Sequence, residues 1–142
     1  MGQERPDSYY DQSAVIPYRV EGEVLQILMI TSRRKKRWII PKGIVESDLS
    51  PADSAAKEAL EEAGIKGEVW PLSLGRYSYP KWGGVCRAEV FAMAVSEVRE
   101  RWDEAFRDRE WVDLAEAIER VKESELKEIL ATLPEFLAQN SG

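Results

Sequence analysis

The chain has 142 residues, of which 44% are apolar and 32% charged, with a formal net charge of −6. That size and composition describe one folded domain, 1–142, rather than a disordered chain, and the acidic balance argues against broad nucleic-acid binding, which needs a positive field. The absence of histidine and the single cysteine, Cys86, remove the common zinc sites, histidine-based triads and any internal disulfide, so catalysis would have to use carboxylates, amines, hydroxyls or a metal. No apolar run approaches the roughly 20 residues needed to cross a bilayer, and the polar start lacks the hydrophobic stretch of a signal peptide. A cytoplasmic protein with no membrane contact is therefore expected.

In chain order, residues 1–11 are polar and expected to be loose. The β-branched and aromatic content of Ser13 to Arg19 predicts a strand, with Pro17 placing it at an edge or a bulge. Glu21-Gly22-Glu23 reads as a turn into the apolar run Val24 to Thr31, making a hairpin. A wholly basic loop follows, Arg33-Arg34-Lys35-Lys36-Arg37, and then a short buried strand, Trp38-Ile39-Ile40, which Pro41 stops before Lys42-Gly43. The next helix is well marked: Ser50 is the N-cap, Pro51 takes the first position and Asp53 completes a shortened capping box. Ala52, Ala55, Ala56, Ala59 and Ala63 give it a smooth inner face, and Gly64 ends it.

Residues 66–79 and 85–98 read as a second group of strands, divided by the turn-rich Pro80-Lys81-Trp82-Gly83-Gly84, which is also expected to line a pocket. Glu89 to Val95 is nearly all apolar and predicts a central strand. Residues 97–109 form a charged loop, and Glu110-Trp111-Val112 a last short strand. Asp113 and Glu116 suggest a capping box for a helix from Leu114 to Val121, and a final helix spans about Ser124 to Leu137, kinked or divided at Pro134. Strands, then a helix, then strands, then helices indicate a layered α+β fold.

Chemistry concentrates on the first helix. Glu58, Glu61 and Glu62 fall at relative positions 0, 3 and 4, and at about 100° per residue they share one face. Like charges so close repel one another, which suggests a cation among them, most simply a hard divalent ion such as magnesium. The basic loop just upstream suits a phosphate substrate, with Arg33 and Arg37 preferred because a guanidinium grips phosphate through paired hydrogen bonds. On this reading Arg34, Lys35 and Lys36 face solvent. The blander alternative is a solvated helix face paired with Lys57 or Lys66 beside a solubilising loop. Tyr79 and Trp82 are favoured as packing residues over nucleobase platforms, and Cys86 as a plain strand residue.

The stretch from Gly43 to Ile65 resembles the Nudix box, whose pattern is Gly, five residues, Glu, seven residues, Arg-Glu, an aliphatic residue, any residue, Glu-Glu, any residue, Gly and an aliphatic residue. Gly43, Glu58, Glu61, Glu62, Gly64 and Ile65 match. Leu49 stands where the first glutamate belongs, Lys57 replaces the arginine, and Ala59 is smaller than usual. In the family, that acid and that arginine brace the loop against the helix, so a weakened brace with the metal site kept is expected. Trp38 to Gly43, preceded by Ser32-Arg33 and Arg37, and the segment Arg109 to Val112 are similar to the diphosphoinositol polyphosphate phosphohydrolase and diadenosine polyphosphate hydrolase branches.

The resemblance implies a Nudix fold, a mixed β-sheet layered between α-helices as an α/β/α sandwich. It implies a pyrophosphohydrolase using Mg2+, with Mn2+ as the alternative ion. Glu58 and Glu62 would ligate the metal with the backbone carbonyl of Lys42 or Gly43, Glu61 would be the base, and Asp103 or Glu104 would add a further acid. Arg19, Ser32, Arg33, Arg37, Lys42, Gly43 and Arg109, or Arg107 in place of the last, would bind substrate. The implied substrate is a small, highly phosphorylated molecule, a diphosphoinositol polyphosphate or a dinucleoside polyphosphate. A nucleoside triphosphate or nucleotide-sugar pyrophosphatase is the alternative enzyme, and a non-catalytic nucleotide-sensing module the alternative of another class. The reading admits an oligomer.

Overall fold

The computed structural model describes residues 9–140. Eight strands form one mixed sheet: β1 (Tyr9–Glu21), β2 (Val24–Thr31), β3 (Trp38–Ile39), β4 (Lys42–Ile44), β5 (Ile65–Val69), β6 (Gly75–Lys81), β7 (Gly84–Val98) and β8 (Arg109–Asp113). Helix α1 (Pro51–Glu58) runs into a π-helical segment (Ala59–Ala63), and α2 (Leu114–Arg120), α3 (Ser124–Ala131) and α4 (Leu133–Asn140) close the chain.

Alternation along the strands sorts the core into two layers. Ala14, Ile16, Ile27, Met29, Val90 and Ala92 face α2 to α4, where they meet Ala117, Leu126, Leu130 and Leu133. Their neighbours Val15, Leu28, Ile30, Phe91 and Met93 face α1 and pack on Ala55, Ala59 and Ala63. The alanine face lets the helix approach the sheet closely, and the result is the expected α/β/α sandwich.

The sheet opens between its first two strands. β1 and β2 pair antiparallel only near the hairpin turn, Tyr18 to Glu21 against Ile27 to Val24, with Gly22 at φ 64 in the turn. Beyond that they diverge, and the following segment is wedged into the gap, β3 pairing with the end of β2 and β4 with Gln12 to Ala14 of β1. On its other edge β1 runs parallel to β7 from Tyr9 to Tyr18. β1 is thus interior, not the edge that Pro17 suggested. Pro17 pairs with Met93 of β7 on one side, and on the other it falls between the stretch paired with β4 and the stretch paired with β2, so the missing N–H is tolerated on the side with no ladder partner.

Other expectations need correction as well. Of the segment expected to be loose, residues 1–8 lie outside the described residues, while 9–11 belong to β1, anchored on Val85 to Arg87. Asp113 is the N-cap of α2 by backbone geometry but makes no side-chain capping bond, and Glu116 instead accepts from Arg120 at 2.9 Å. Ser50 does cap α1, its hydroxyl accepting from the Asp53 amide at 3.0 Å, and the chain divides near Pro134 as expected, at Thr132. Among the described residues, no helix is long and apolar enough to cross a membrane.

Candidate functional site

The wedge brings three pieces of chain together: the loop 32–37 from the end of β2, Lys42 and Gly43 of β4, and the C-terminal half of the glutamate helix. They enclose a cavity of about 400 Å³. Glu58 and Glu62 form its acidic floor. A Cβ built on Gly43 would fall inside the Glu58 carboxylate, so the glycine is what lets β4 and α1 close on each other here. Glu62 is buried, and its Oε1 accepts from the Lys42 amide at 3.2 Å.

The helix changes pitch at this point. From Ala59 to Ala63 it is π-helical, a wider turn often found at functional sites. Glu58 immediately precedes the wider turn and Glu62 lies within it. Both line the cavity, whereas Glu61 faces Lys57 at 3.0 Å and borders a neighbouring hollow with Trp102 and Asp103.

Electrostatics at the floor reflect burial and crowding. Burial raises the Glu62 carboxyl to about 7, and Glu58 and Glu104 push the same way against the Arg107 guanidinium and the Lys42 N–H. Glu58 is also raised, first by burial and then by Glu61. Burial lowers the Lys42 amine against the pull of Glu62. Arg107 is only 6% exposed; it donates to the Thr31 carbonyl at 2.8 Å and, through two nitrogens, to Glu104 Oε1 at 3.0 and 2.8 Å, and lies 3.9 Å from Glu62. Glu104 thereby enters the cavity wall opposite the helix.

The rim is cationic. Arg33, Arg37, Lys42, Lys81 and Arg107 line the cavity against Glu58, Glu62 and Glu104, a formal excess of two positive charges (five against three) in an acidic protein. Ser32 closes the basic loop, its hydroxyl accepting from the Lys36 and Arg37 amides at 3.2 and 3.3 Å. Arg37 also meets Glu123 at 3.6 Å. Trp82, 56% exposed at the turn between β6 and β7, stands at the mouth, while Tyr79 donates its hydroxyl to Gln12 and stacks on Tyr77.

Of the residues singled out in the sequence, the cavity gathers Ser32, Arg33, Arg37, Lys42, Gly43, Glu58 and Glu62, together with Trp82, Arg107, named as the alternative to Arg109, and Glu104, named as one of two further acids. Arg19 and Arg109 are placed elsewhere. Arg19 lies over Trp111 and donates to Gln26 at 2.8 Å; Arg109 lies 3.7 Å over Trp102 and donates to the carbonyls of Ala63 and Arg99. Two contributors were missed. Lys81 sits in the turn read as pocket-lining, so its signal was present. Glu46 had none, because it occupies no position of the box: it accepts from Lys57 at 2.6 Å, and its own amide donates to buried Ser54 at 3.2 Å. The brace expected to be weakened by Leu49 is therefore rebuilt from a different acid of the same loop.

The donor set suits a small hard cation. Among the described residues no three acids are gathered closely enough to enclose an ion by themselves. Magnesium does not require that, because it commonly takes one or two carboxylates and completes its shell with water and substrate phosphate. Two crowded, partly desolvated glutamates beside a backbone strand fit that requirement.

A mixed-sheet α/β/α domain with paired glutamates beneath a cation-rimmed cavity is the class these features define. The NUDIX domain family model matches residues 11–133, and the chain belongs to that family. It is 37% identical over 115 residues to Nudix hydrolase 4 of Arabidopsis thaliana, covering 73% of this chain and 55% of that protein. It is 33% identical over 116 residues to diphosphoinositol polyphosphate phosphohydrolase 3-beta of Bos taurus, covering 80% and 70% respectively. The chain thus spans little more than half the length of the first of these relatives. Among solved structures, the Ap4A hydrolase of C. elegans superposes with a TM-score of 0.72 at 18% identity over 92% of this chain and 99% of that one, a likeness of fold.

Proposed function

We propose that the chain, acting as a single domain, is a magnesium-dependent pyrophosphohydrolase that splits a phosphoanhydride in a small, highly phosphorylated substrate, a diphosphoinositol polyphosphate or a dinucleoside polyphosphate. The observation that carries this reading is the cationic rim set over a glutamate pair, one member buried and the other partly so. Glu58 and Glu62, with the carbonyl of Lys42, would hold the ion. When bound, such an ion neutralises phosphate oxygens and acidifies a water molecule. Arg33, Arg37 and Lys81 grip the phosphate chain, the arginines in paired geometry. Ser32 and Gly43 shape its path, one by closing the basic loop and the other by leaving room for Glu58. Glu104 takes the proton of the attacking water: it faces the cavity, one oxygen held by Arg107 and the other 3.9 Å from Arg33. Glu61, whose carboxylate is turned onto Lys57, takes the supporting role of holding that lysine.

The test is hydrolysis with magnesium of a panel of diphosphoinositol polyphosphates, dinucleoside polyphosphates, nucleoside triphosphates and nucleotide sugars, read as free phosphate from the first class and as the product nucleotides, separated by chromatography, from the others. Turnover of either polyphosphate class is expected. Glu62→Gln and Glu104→Gln should each lower kcat by about 100-fold or more, with Glu61→Gln within a fewfold of wild type. Activity confined to nucleoside triphosphates would overturn the substrate class, and unchanged turnover by Glu62→Gln would overturn the mechanism.

A further inference from the structure

A helix end leaves its last carbonyls without partners inside the helix. At the end of the π-helical segment, the four successive carbonyls of Glu61 to Gly64 are each met by a donor from one short stretch of chain, residues 99–109. The Glu104 amide donates to Glu61 at 3.0 Å, the Trp102 indole N–H to Glu62 at 3.0 Å, Arg109 Nη1 to Ala63 at 2.9 Å, and the Arg99 amide to Gly64 at 2.8 Å. The Trp102 side chain rests on Gly64, where a Cβ would lie 2.7 Å from it, and the Arg109 guanidinium covers the other face of the loop, 3.7 Å over the indole ring. Arg109 Nη1 also donates to the Arg99 carbonyl at 2.9 Å, drawing the two ends of the loop together.

The far side of the loop is tied down just as fully. Thr31, at the end of β2, donates its amide to the Asp108 carbonyl at 3.1 Å, accepts from the Asp108 amide at its hydroxyl at 2.9 Å, and accepts from Arg107 at its carbonyl at 2.8 Å. A loop without regular structure is thereby bonded to the helix end on one side and to the sheet on the other. Glu104 lies between the two anchorages.

We propose that Trp102 and Arg109 are positioning residues for the reaction: by capping the carbonyls of Glu62 and Ala63 they clamp the loop onto the helix end and so hold Glu104 facing Glu58 and Glu62. The proposal rests on the reading of Glu104 given above. It reassigns Arg109, which the sequence pattern put among the phosphate-binding groups, to a structural contact of catalytic consequence. The loop is a fixed part of the site, bonded before substrate arrives, and its charge-rich sequence serves internal bonds.

Two measurements on the whole chain test this, one without turnover. Amide hydrogen exchange of the substrate-free protein should show Arg99 and Glu104 protected in wild type, with exchange at both sites at least about tenfold faster in Trp102→Phe and Arg109→Ala. Trp102→Phe keeps an aromatic ring while removing the N–H donor, so it remains informative if Arg109→Ala folds poorly. In kinetics, both variants should lower kcat about tenfold or more with KM within about twofold, and Arg109→Lys should recover part of the loss. Rapid exchange of the Glu104 amide in wild type would overturn the clamp. A raised KM at unchanged kcat in Arg109→Ala would show a phosphate grip instead. If Glu104→Gln impairs turnover while Trp102→Phe and Arg109→Ala match wild type, the clamp fails and the catalytic reading stands; if wild type turns over nothing on the panel, the catalytic reading fails, and exchange alone judges the clamp.

Discussion

Glu62 concentrates the conflict of the site in one side chain. Its carboxylate is buried, near Glu58 and Glu104, and supported by one N–H and a guanidinium at 3.9 Å, and burial prevails. With a folded value of about 7, well above that of an unfolded chain, the neutral acid is favoured by folding. The stability this confers on the metal-free protein is complete below the unfolded value near pH 4.5 and is lost as pH rises through about 7, a difference on the order of 3 to 4 kcal/mol. Denaturant unfolding in the presence of a chelator should therefore show wild type losing stability between about pH 4.5 and 7 relative to Glu62→Gln, whose profile should be flatter over that window. Crowding of Glu62 with Glu58 and Glu104 is also what would favour the divalent ion proposed for this site. The glutamates were legible in the sequence; the depth of Glu62 was not, because burial depends on β4 arriving over the helix.

At the scale of elements, β4 and α1 meet in close contact at Gly43. Gly43 has no unusual φ, so its requirement for glycine is purely one of contact: a methyl group there would displace the Glu58 carboxylate. Because Glu58 is only partly buried, its carboxylate can swing aside, and the substitution should harm the site more than the fold. Gly43→Ala is expected to lower kcat by tenfold or more, about 1.4 kcal/mol in the barrier, while shifting Tm by only a few degrees; a comparable loss of both would mean the strand itself had moved. The loop that follows illustrates how a pattern can mislead. Leu49 signalled a lost brace, yet Lys57 finds Glu46 at 2.6 Å and Glu61 at 3.0 Å. A box written as fixed positions cannot anticipate which acid of a flexible loop will reach a given lysine. Nor could it show the π-helical turn, whose carbonyls are met by donors from residues 99–109, distant in sequence.

At the scale of the whole molecule, an acidic chain presents a cation-lined mouth. Charge of one sign converging on a cavity raises the local concentration of an oppositely charged substrate, and salt weakens the effect. Raising ionic strength from ~0.02 to ~0.3 M should reduce kcat/KM for a polyphosphate substrate about tenfold with little change in kcat. A salt-independent kcat/KM would mean that the rim does not steer substrate. This charge distribution arises from topology. The divergence of β1 and β2, with β3 and β4 filling the gap, sets the basic loop 32–37 opposite a helix that follows it in sequence, and the hairpin of β6 and β7 adds Lys81 from the other side.

The sequence by itself determined the layers, the capped glutamate helix with its alanine face, the buried β7 and the basic loop, because each is a local pattern of polarity or capping that one element carries alone. It also carried the family, through a spacing of glycine and glutamates within one stretch. Only the tertiary structure decided that β1 is interior, that Glu46 replaces the missing brace, that Arg109 serves the loop and not the cavity rim, and that Glu104 joins Glu58 and Glu62. Those facts depend on contacts between residues such as Thr31 and Arg107 or Ala63 and Arg109, which are distant along the chain and adjacent only once the sheet has formed. Periodicity reports which way a side chain points from its own element; it carries no information about which carbonyl, carboxylate or ring will be waiting there.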